Sequence, residues 1–410
     1  MIINKRSRNK KLTNNILSLA QEAKLAKKNN PSTINSTAGM LFDENGTLYT
    51  FDAVKKAMAN LSNDKMFTYS DTSGSKGFQN AILTWVFGDH IDSFKEFNLS
   101  VVATPGGSGA IALTFSTYLN RGDKVLLPKV MWETYITYAE ERECSYLTYD
   151  LYDENGEFNI SSIKKCIESL PEQENVVLVI NDPCQNPTGF CLKDKDYDNL
   201  VSLLNSFSRN IVLLMDMAYF DYYSSDGSII RSRYAKLTNL NHNVLTKFTF
   251  SGSKTFGLYG LRIGAAIAMS RDEKEVQYFK NCFVYIARAS WSSSTTLGEG
   301  LIEELVLNDE YKESFKNEVM KMSGLLEQRA KTFIEESNKC GLETLPFECG
   351  FFVCVPTSSP QSLMDALKKD NVYVVSTETC VRIAICAINL DECSRLPRII
   401  KNRMDIEGLF

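Results

Sequence analysis

Short continuous runs of apolar residues alternate with helix-like stretches through the middle of the chain. The runs at 100–104, 124–127, 176–180, 211–215, 243–249 and 264–268 predict strands. Helix-like stretches, for example 109–119 and 197–206, fall between them. Because the runs are continuous and do not alternate with polar residues, both faces of each strand should be covered. The pattern therefore predicts an α/β domain with a mostly parallel sheet.

The two ends of the chain predict a second, smaller unit. Residues 14–28 show helical periodicity, and 309–338 predict one long charged helix, or two. Strand-like runs at 351–355, 372–375 and 381–385 surround a helical stretch at 361–369. No flexible linker intervenes, so we expect the long helix to join the two units. We predict a large domain at 47–321 and a smaller α+β domain formed by 1–46 and 322–410.

Composition narrows the possible partners. The 410 residues carry a formal net charge of −5, which gives no reason to expect a nucleic acid or an anionic membrane as partner. No run approaches the roughly 20 apolar residues that a membrane span needs. The basic residues near the start are not followed by the apolar core of a secretory signal, so we interpret them as a solvated arm. These residues are Lys5, Arg6, Arg8, Lys10 and Lys11.

The cysteines predict a reduced setting. The 11 cysteines show no paired framework, and those at Cys380, Cys386 and Cys393 lack zinc-ligand spacing. The chain has only two histidines, His90 and His242, both in polar, loop-like contexts. We therefore predict a cytoplasmic protein without a metal site.

Polar clusters follow the predicted strands, where an open α/β sheet binds its ligands. A glycine-rich turn at 105–110 opens a helix, and bare glycines with free N–H groups can approach a phosphate. The sequence Asn-Asp-Pro-Cys-Gln-Asn-Pro-Thr-Gly occupies 181–189, and Asp216 ends another strand. Each cluster alone is also compatible with an ordinary turn or a structural carboxylate.

The most specific segment is 251–264, Ser-Gly-Ser-Lys-Thr-Phe-Gly-Leu-Tyr-Gly-Leu-Arg-Ile-Gly. Two hydroxyls precede Lys254, glycines surround it, and Arg262 follows eight residues later between apolar neighbours. An isolated lysine near a strand end is ordinarily solvated, whereas this context indicates a functional one.

These motifs together resemble the fold-type I, pyridoxal-phosphate-dependent aminotransferases. The Lys254 segment, the Asn-Pro-Thr-Gly at 186–189 and the Asp-Met-Ala-Tyr at 216–219 match three signatures of that family in the right order. Residues 35–46 and 69–78 look like its aspartate and aromatic aminotransferase branch. The resemblance covers nearly the whole chain, and it implies a mostly parallel, seven-stranded sheet in the large domain.

The resemblance implies a role for each matched residue. Lys254 would bind pyridoxal 5'-phosphate covalently and act as the catalytic base. Asp216 would pair with the pyridine nitrogen, while Asn186 and Tyr219 would hydrogen-bond the phenolic oxygen. Trp132 would stack on the ring. The phosphate would be held by Gly107, Ser108, Ser251, Ser253 and Arg262, and by Tyr69 of the neighbouring subunit.

The resemblance also implies how a substrate would bind. Arg382 would grip the α-carboxylate close to the backbone of Gly39, and Trp132 and Asn186 would line the same subsite. Arg288 would come from the partner subunit and bind a side-chain carboxylate, which implies a homodimer with shared active sites. One departure is visible: the family commonly has a histidine shortly after the tryptophan, whereas this chain has Tyr135. Tyr135 either replaces that histidine behind Asp216 or packs differently.

The sequence predicts a ping-pong aminotransferase that uses aspartate and 2-oxoglutarate. An aromatic amino acid aminotransferase is an alternative. So is another reaction on the same fold, such as β-elimination or decarboxylation. Aminotransferase-like domains also occur in transcription regulators fused to a winged-helix module. Only about 13 residues precede the first predicted helix, which is too few for such a module.

Overall fold

The fold is built on one large sheet and two small ones. The structure is a computed structural model that describes residues 2–4, 7–8, 10–11, 16–224 and 227–410. The strands are β1 (Ile34–Asn35), β2 (Asn98–Thr104), β3 (Lys124–Pro128), β4 (Ser145–Tyr149), β5 (Asn175–Asn181), β6 (Asn210–Asp216), β7 (Val244–Ser251), β8 (Gly264–Ser270), β9 (Phe352–Pro356), β10 (Val372–Tyr373), β11 (Val375–Ser376) and β12 (Cys380–Ala384).

The helices lie between these strands and at both ends. They are α1 (Ile16–Asn29), α2 (Asp52–Ala59), α3 (Asn63–Phe67), α4 (Lys76–Phe87), α5 (Gly106–Tyr118), α6 (Thr134–Glu141), α7 (Ile160–Ser169), α8 (Asp194–Asn205), α9 (Ser228–Lys236), α10 (Gly252–Thr255), α11 (Glu273–Ser290), α12 (Thr296–Leu307), α13 (Asp309–Cys340), α14 (Pro360–Lys368) and α15 (Leu390–Glu407). The predicted start of α1 at residues 14 and 15, like Lys5 and Arg6 of the basic segment, lies outside the described residues.

The large sheet has seven strands in the order β2-β8-β7-β6-β5-β3-β4. β8 runs antiparallel to both of its neighbours, and every other pair is parallel. The prediction of a mostly parallel, seven-stranded sheet is therefore confirmed. Strands β6, β7 and β8 are buried almost throughout, as predicted, although β7 also buries the polar side chains of Thr246, Lys247 and Thr249.

Two strands were not predicted from the sequence pattern. β4 forms the outer edge of the large sheet, where four of its five residues keep some solvent exposure, and Ser145 and Thr148 interrupt its apolar and aromatic residues. β1 has only two residues, which pair with β10. A short or one-sided strand lacks the continuous apolar run that marks a buried one.

Helix α13 connects the two cores. Its first half places Phe315 and Met322 in the core of the large sheet, while Phe333 packs in a second core with α14, α15 and the sheet β11-β12-β9. The predicted helix at 309–338 is thus a single helix. The predicted strand at 372–375 is instead two short strands, because Val374 interrupts them.

Buried Lys247 in β7 is unusual. Its amine has no hydrogen-bond partner and lies 3.1 Å and 4.1 Å from the ring centroids of Phe279 and Phe283. Burial lowers the pKa of Lys247 well below its usual value. This lysine faces α11, so it is not part of the site described below.

Among the described residues, no helix combines the length and the apolarity needed to cross a membrane.

Candidate active site

The carboxyl ends of β5, β6 and β7 open into one cavity of about 340 Å³. Polar side chains must gather there, because parallel strands end at the same edge of a sheet. The loop between β1 and α2 and strand β12 bring further residues to it from the two ends of the chain. The predicted residues that line the cavity are Gly39, Gly107, Ser108, Trp132, Asn186, Asp216, Tyr219, Ser251, Ser253, Lys254, Arg262 and Arg382.

Lys254 follows β7 in the short helix α10 and points into this cavity. Its amine donates a hydrogen bond of 2.5 Å to the carbonyl of Gly39. Burial, together with the positive charges of Arg382 and Arg262, lowers the pKa of Lys254 to about 8. An amine with this pKa is still mostly protonated near physiological pH, but its neutral fraction, which a nucleophile or base requires, is far larger than that of an ordinary lysine with a pKa of about 10.4.

Gly39 has to be a glycine for this contact. A Cβ atom there would lie 2.8 Å from Cζ of Phe352 and 3.6 Å from the Lys254 amine. The bare backbone thus lets the segment after β1 lie directly against the lysine.

Asp216 ends β6 on the floor of the cavity. Its Oδ2 accepts a hydrogen bond of 2.5 Å from the hydroxyl of Tyr135, and its Oδ1 accepts one of 3.3 Å from the N–H of Ala218. Burial raises the pKa of Asp216 to about 6, while the bonds from Tyr135 and Ala218 oppose that rise. Tyr135 in α6 therefore occupies the place behind the aspartate, which settles the question left by the missing histidine.

We expect Tyr135→Phe to make the ionisation of Asp216 harder. A hydrogen bond to a charged group contributes about 1.5–3 kcal/mol, so the pKa of Asp216 should rise by about 1–2 units. The pH profile for protonation of Asp216 should move upward by the same amount. Infrared difference spectra of the carboxyl band from pH 4 to pH 9 would measure it.

Tyr149→Phe is the matched control, because Tyr149 is also buried and its hydroxyl donates a hydrogen bond of 2.8 Å to the carbonyl of Val179. An equal displacement of the pH profile in both variants would contradict a specific role for Tyr135.

Arg382 belongs to a hydrogen-bonded group that lines the cavity. Its Nη1 donates to Oδ1 of Asn186 at 3.3 Å, and its Nη2 donates to the carbonyl of Thr37 at 2.9 Å. The Asn186 amide in turn donates to the hydroxyl of Tyr219 at 3.5 Å. The guanidinium lies 4.3 Å from the ring centroid of Phe352, and its buried Nε has no hydrogen-bond partner in the protein. A buried donor without a partner indicates that a ligand completes the group.

The N-terminus of α5 forms an anion cradle with Arg262. Gly106 has φ +72°, and a Cβ atom there would lie 2.8 Å from Nη2 of Arg262. A Cβ atom on Gly107 would lie 3.3 Å from Cγ2 of Thr249. Nη1 of Arg262 donates to Oγ of Ser253 at 3.1 Å. Free N–H groups, a guanidinium and a hydroxyl thus converge where the glycines leave space, which suits a phosphate group.

Ser108, Ser251 and Trp132 complete the walls. Trp132 is partly buried and meets the ring of Tyr135 edge-on, at a centroid distance of 5.5 Å. Its place beside Asp216 and Tyr135 suits an aromatic ring lying in the cavity.

Tyr69 and Arg288 lie outside the cavity of their own chain. Tyr69 is 96% exposed. Arg288, near the end of α11, donates a hydrogen bond of 2.5 Å to Oγ of Ser292 and lines a separate surface depression with Thr72 and Ser73. Neither position contradicts the prediction that each residue serves the neighbouring subunit.

Sequence reasoning missed two groups at the site. Tyr259 accepts a hydrogen bond of 2.9 Å from the N–H of Leu41, and its ring lies 5.1 Å from the Lys254 amine. Its position between Lys254 and Arg262 in one motif could have identified Tyr259 as a site residue from the sequence. Asn181 positions Asn186 by accepting a 2.8 Å bond from its N–H, and it donates another to the carbonyl of Asp216. The position of Asn181 at the end of β5 could likewise have identified it from the sequence.

Residues 33–400 match the family described as aminotransferase class I and II. The chain belongs to this family. It is 23% identical to the mitochondrial aspartate aminotransferase of Xenopus tropicalis, over 84% of this chain and 81% of that protein. The predicted membership in the fold-type I aminotransferases is confirmed, as is the prediction of an aminotransferase enzyme.

Solved structures agree with this aminotransferase fold. An aminotransferase from Anaerococcus prevotii superposes with a TM-score of 0.93 at 25% identity, over 98% of this chain and 99% of the other. An aromatic-amino-acid aminotransferase from Burkholderia pseudomallei, covalently bound to pyridoxal phosphate, superposes with a TM-score of 0.78 at 22% identity. That alignment covers 98% of this chain and 100% of the other.

Proposed function

We propose that this aminotransferase moves an amino group between a dicarboxylic amino acid, aspartate, and 2-oxoglutarate by a ping-pong route with pyridoxal 5'-phosphate. One observation carries the proposal. A lysine of lowered pKa, a buried carboxylate and two arginines converge on a single cavity, at Lys254, Asp216, Arg262 and Arg382.

The cavity fits the proposed cofactor. Pyridoxal phosphate, when bound, supplies an electron sink for charge that develops at the substrate's Cα carbon. The cradle of Gly107, Ser108, Ser251, Ser253 and Arg262 would hold its phosphate. Asp216, Asn186 and Tyr219 would hydrogen-bond its ring, and Trp132 would cover one face. The Burkholderia pseudomallei relative, which has the same fold, is described as covalently bound to this cofactor.

Lys254 would act twice. Its amine would first bind the cofactor, and after the substrate displaces it, the free amine would move the proton at the substrate's Cα. The pKa of about 8 supports both roles, because the neutral amine is available near physiological pH. The nearby rings of Tyr219 and Tyr259 would help to exclude water from that step.

Arg382 would position the substrate. Two of its guanidinium nitrogens already bond to Asn186 and Thr37, and its Nε remains without a partner in the protein. A substrate α-carboxylate would satisfy that donor with the charge-assisted geometry that arginine favours. The adjoining backbone of Gly39 would lie alongside.

The dicarboxylic preference depends on a homodimer with shared active sites. Arg288 would bind the side-chain carboxylate across the subunit interface, and Tyr69 would reach the phosphate. The exposure of both residues supports this arrangement, as does the name of the Xenopus tropicalis relative, an aspartate aminotransferase.

An aromatic amino acid is the second candidate substrate. Ile111, Trp132 and the start of α1 at Ile16 give the cavity apolar walls, which would accept an aromatic side chain. The Burkholderia pseudomallei relative is named for such substrates.

The test adds an amino donor alone to the loaded enzyme. Amino transfer predicts that pyridoxamine phosphate accumulates, because only half-transamination stores the nitrogen on the cofactor. We expect faster conversion by aspartate than by alanine. Arg288→Leu should reduce that ratio by about 100-fold, since an unpaired carboxylate in a dry site costs roughly 3 kcal/mol or more.

Arg395→Leu, at another exposed arginine, is the control and should leave the ratio unchanged. Release of ammonia or carbon dioxide without pyridoxamine phosphate would instead favour elimination or decarboxylation. An unchanged ratio in Arg288→Leu with normal amino transfer would remove only the aspartate assignment.

We further propose the division into a domain at 47–321 and another formed by 1–46 and 322–410. The two cores that meet along α13 support it. The cysteine pattern supports a cytoplasmic location for the protein.

A further inference from the structure

Three cysteine thiols meet beside the cavity but play no part in the proposed reaction. The sulfur atoms of Cys184 and Cys191 each lie 3.2 Å from that of Cys349, and all three lie within 4.8 Å of one another. Their positions 184, 191 and 349 are too widely spaced for any short sequence motif to have revealed them.

The sulfur positions suit a shared metal ion. Three sulfurs bound to one zinc ion at about 2.3 Å are about 3.8 Å apart in a tetrahedral site. The two sulfur separations of 3.2 Å are about 0.6 Å shorter than that spacing, a difference that small rotations of the cysteine side chains would remove. An all-thiol set selects soft ions such as Zn²⁺ or Cu⁺ over Mg²⁺ or Ca²⁺.

The backbone around the thiols is closely constrained. The carbonyl of Gly189 accepts hydrogen bonds from the N–H groups of Glu348 and Cys349, at 3.0 Å and 3.2 Å. Cys184 donates its own N–H to the sulfur of Cys191 at 3.2 Å. Such N–H bonds to sulfur orient a ligand and support its negative charge. The segments 184–191 and 348–349 are thus held together before any ion binds.

A second constraint comes from Gly350. It has φ +107°, and a Cβ atom there would lie 2.6 Å from Cβ of Cys184. Only a glycine lets the chain after Cys349 pass this close to Cys184.

The cluster is buried on one side and accessible to solvent on the other. Cys184 and Cys191 are buried, whereas Cys349 is partly exposed and its neighbour Glu348 is exposed. An ion could therefore enter from the side of Cys349, and a water molecule could take the fourth position there.

We propose that Cys184, Cys191 and Cys349 form a binding site for a single thiophilic metal ion, with Zn²⁺ as its occupant. The site would brace two segments of the cavity wall. Asn186 follows Cys184 by two residues, and Phe352, which packs under Arg382, follows Cys349 by three. The inference does not depend on which amino acid is the substrate.

The test treats the purified full-length enzyme, loaded with pyridoxal phosphate, with a chelator and a thiol reductant, and then titrates it with Cd²⁺ as a spectroscopic substitute for Zn²⁺. We expect one tight equivalent per chain, reported by the ultraviolet thiolate-to-cadmium charge-transfer band and displaced by Zn²⁺. Cys349→Ser should weaken that binding by more than about 100-fold. Cys282→Ser removes an exposed cysteine elsewhere and should not change it.

A second measurement needs no variant, so it holds even if a substitution disturbs folding. Zn²⁺ should protect Cys349 of the wild type from iodoacetamide, as read by mass spectrometry, while Cys282 still reacts. Equal alkylation of Cys349 with and without Zn²⁺ would overturn the proposal. So would a disulfide within the cluster that forms on air exposure in a protein that takes up no Cd²⁺ when reduced.

Discussion

Replacing Lys254 with alanine should reduce kcat/KM for amino transfer by about 10⁴-fold or more, because the change would remove both the proposed nucleophile and the proposed base. The amine lies in the cavity beside Gly39, with a pKa of about 8. The loss should appear in steady-state turnover, while the phosphate cradle still binds pyridoxal phosphate reversibly.

Lys247→Met is the matched control. Lys247 is a buried lysine in β7, but its side chain faces α11 and not the cavity. The variant should keep its turnover. In the wild type, borohydride reduction followed by peptide mapping should place the pyridoxyl group on Lys254. A label on Lys247, or near-normal turnover of Lys254→Ala, would mean that another residue carries the cofactor.

Asp216→Asn should lower kcat by about 10³-fold and leave cofactor binding largely intact. The amide is close to the carboxylate in shape but cannot balance a positive charge on the pyridine nitrogen, and removal of one such electrostatic contact typically reduces rates by about 10²–10³-fold. The phosphate anchors are separate from Asp216, so they should remain. Single-turnover kinetics of Cα proton removal, measured with deuterated substrate, would report the loss.

Asp182→Asn is the comparison for that variant. Asp182 is also a buried carboxylate, but it accepts hydrogen bonds from Tyr197 and Leu192 away from the cavity. It should affect stability more than the rate of proton removal. Proton removal at a near-normal rate in Asp216→Asn would show that the ring nitrogen has a different partner.

The buried strands and the residues at their ends could be predicted because both leave local marks. Strand β6 is a continuous apolar run from Ile211 to Met215, and Lys254 follows β7 inside a distinctive motif. Edge strand β4 could not be recognised, because Ser145 and Thr148 interrupt its apolar and aromatic residues.

Long-range contacts were beyond the sequence for a different reason. Tyr135 and Asp216 are 81 residues apart, and nothing local shows that their side chains meet. The cluster of Cys184, Cys191 and Cys349 joins segments that are farther apart still. In both cases the packing of whole elements brings the groups together, and no pattern within a short window records it.

On the proposed function, the connection between β7 and β8 separates cofactor attachment from substrate recognition. It is closed at its base by the pairing of Ser251 with Gly264, and it contains both Lys254 and Arg262. The distance between the proposed covalent anchor and the proposed phosphate anchor is therefore a local property of one closed loop. Arg382 comes from a different sheet, so its distance to both depends on how that sheet packs. Substitutions that shift the small sheets could therefore change which substrate fits. They would leave the spacing between Lys254 and Arg262 unchanged.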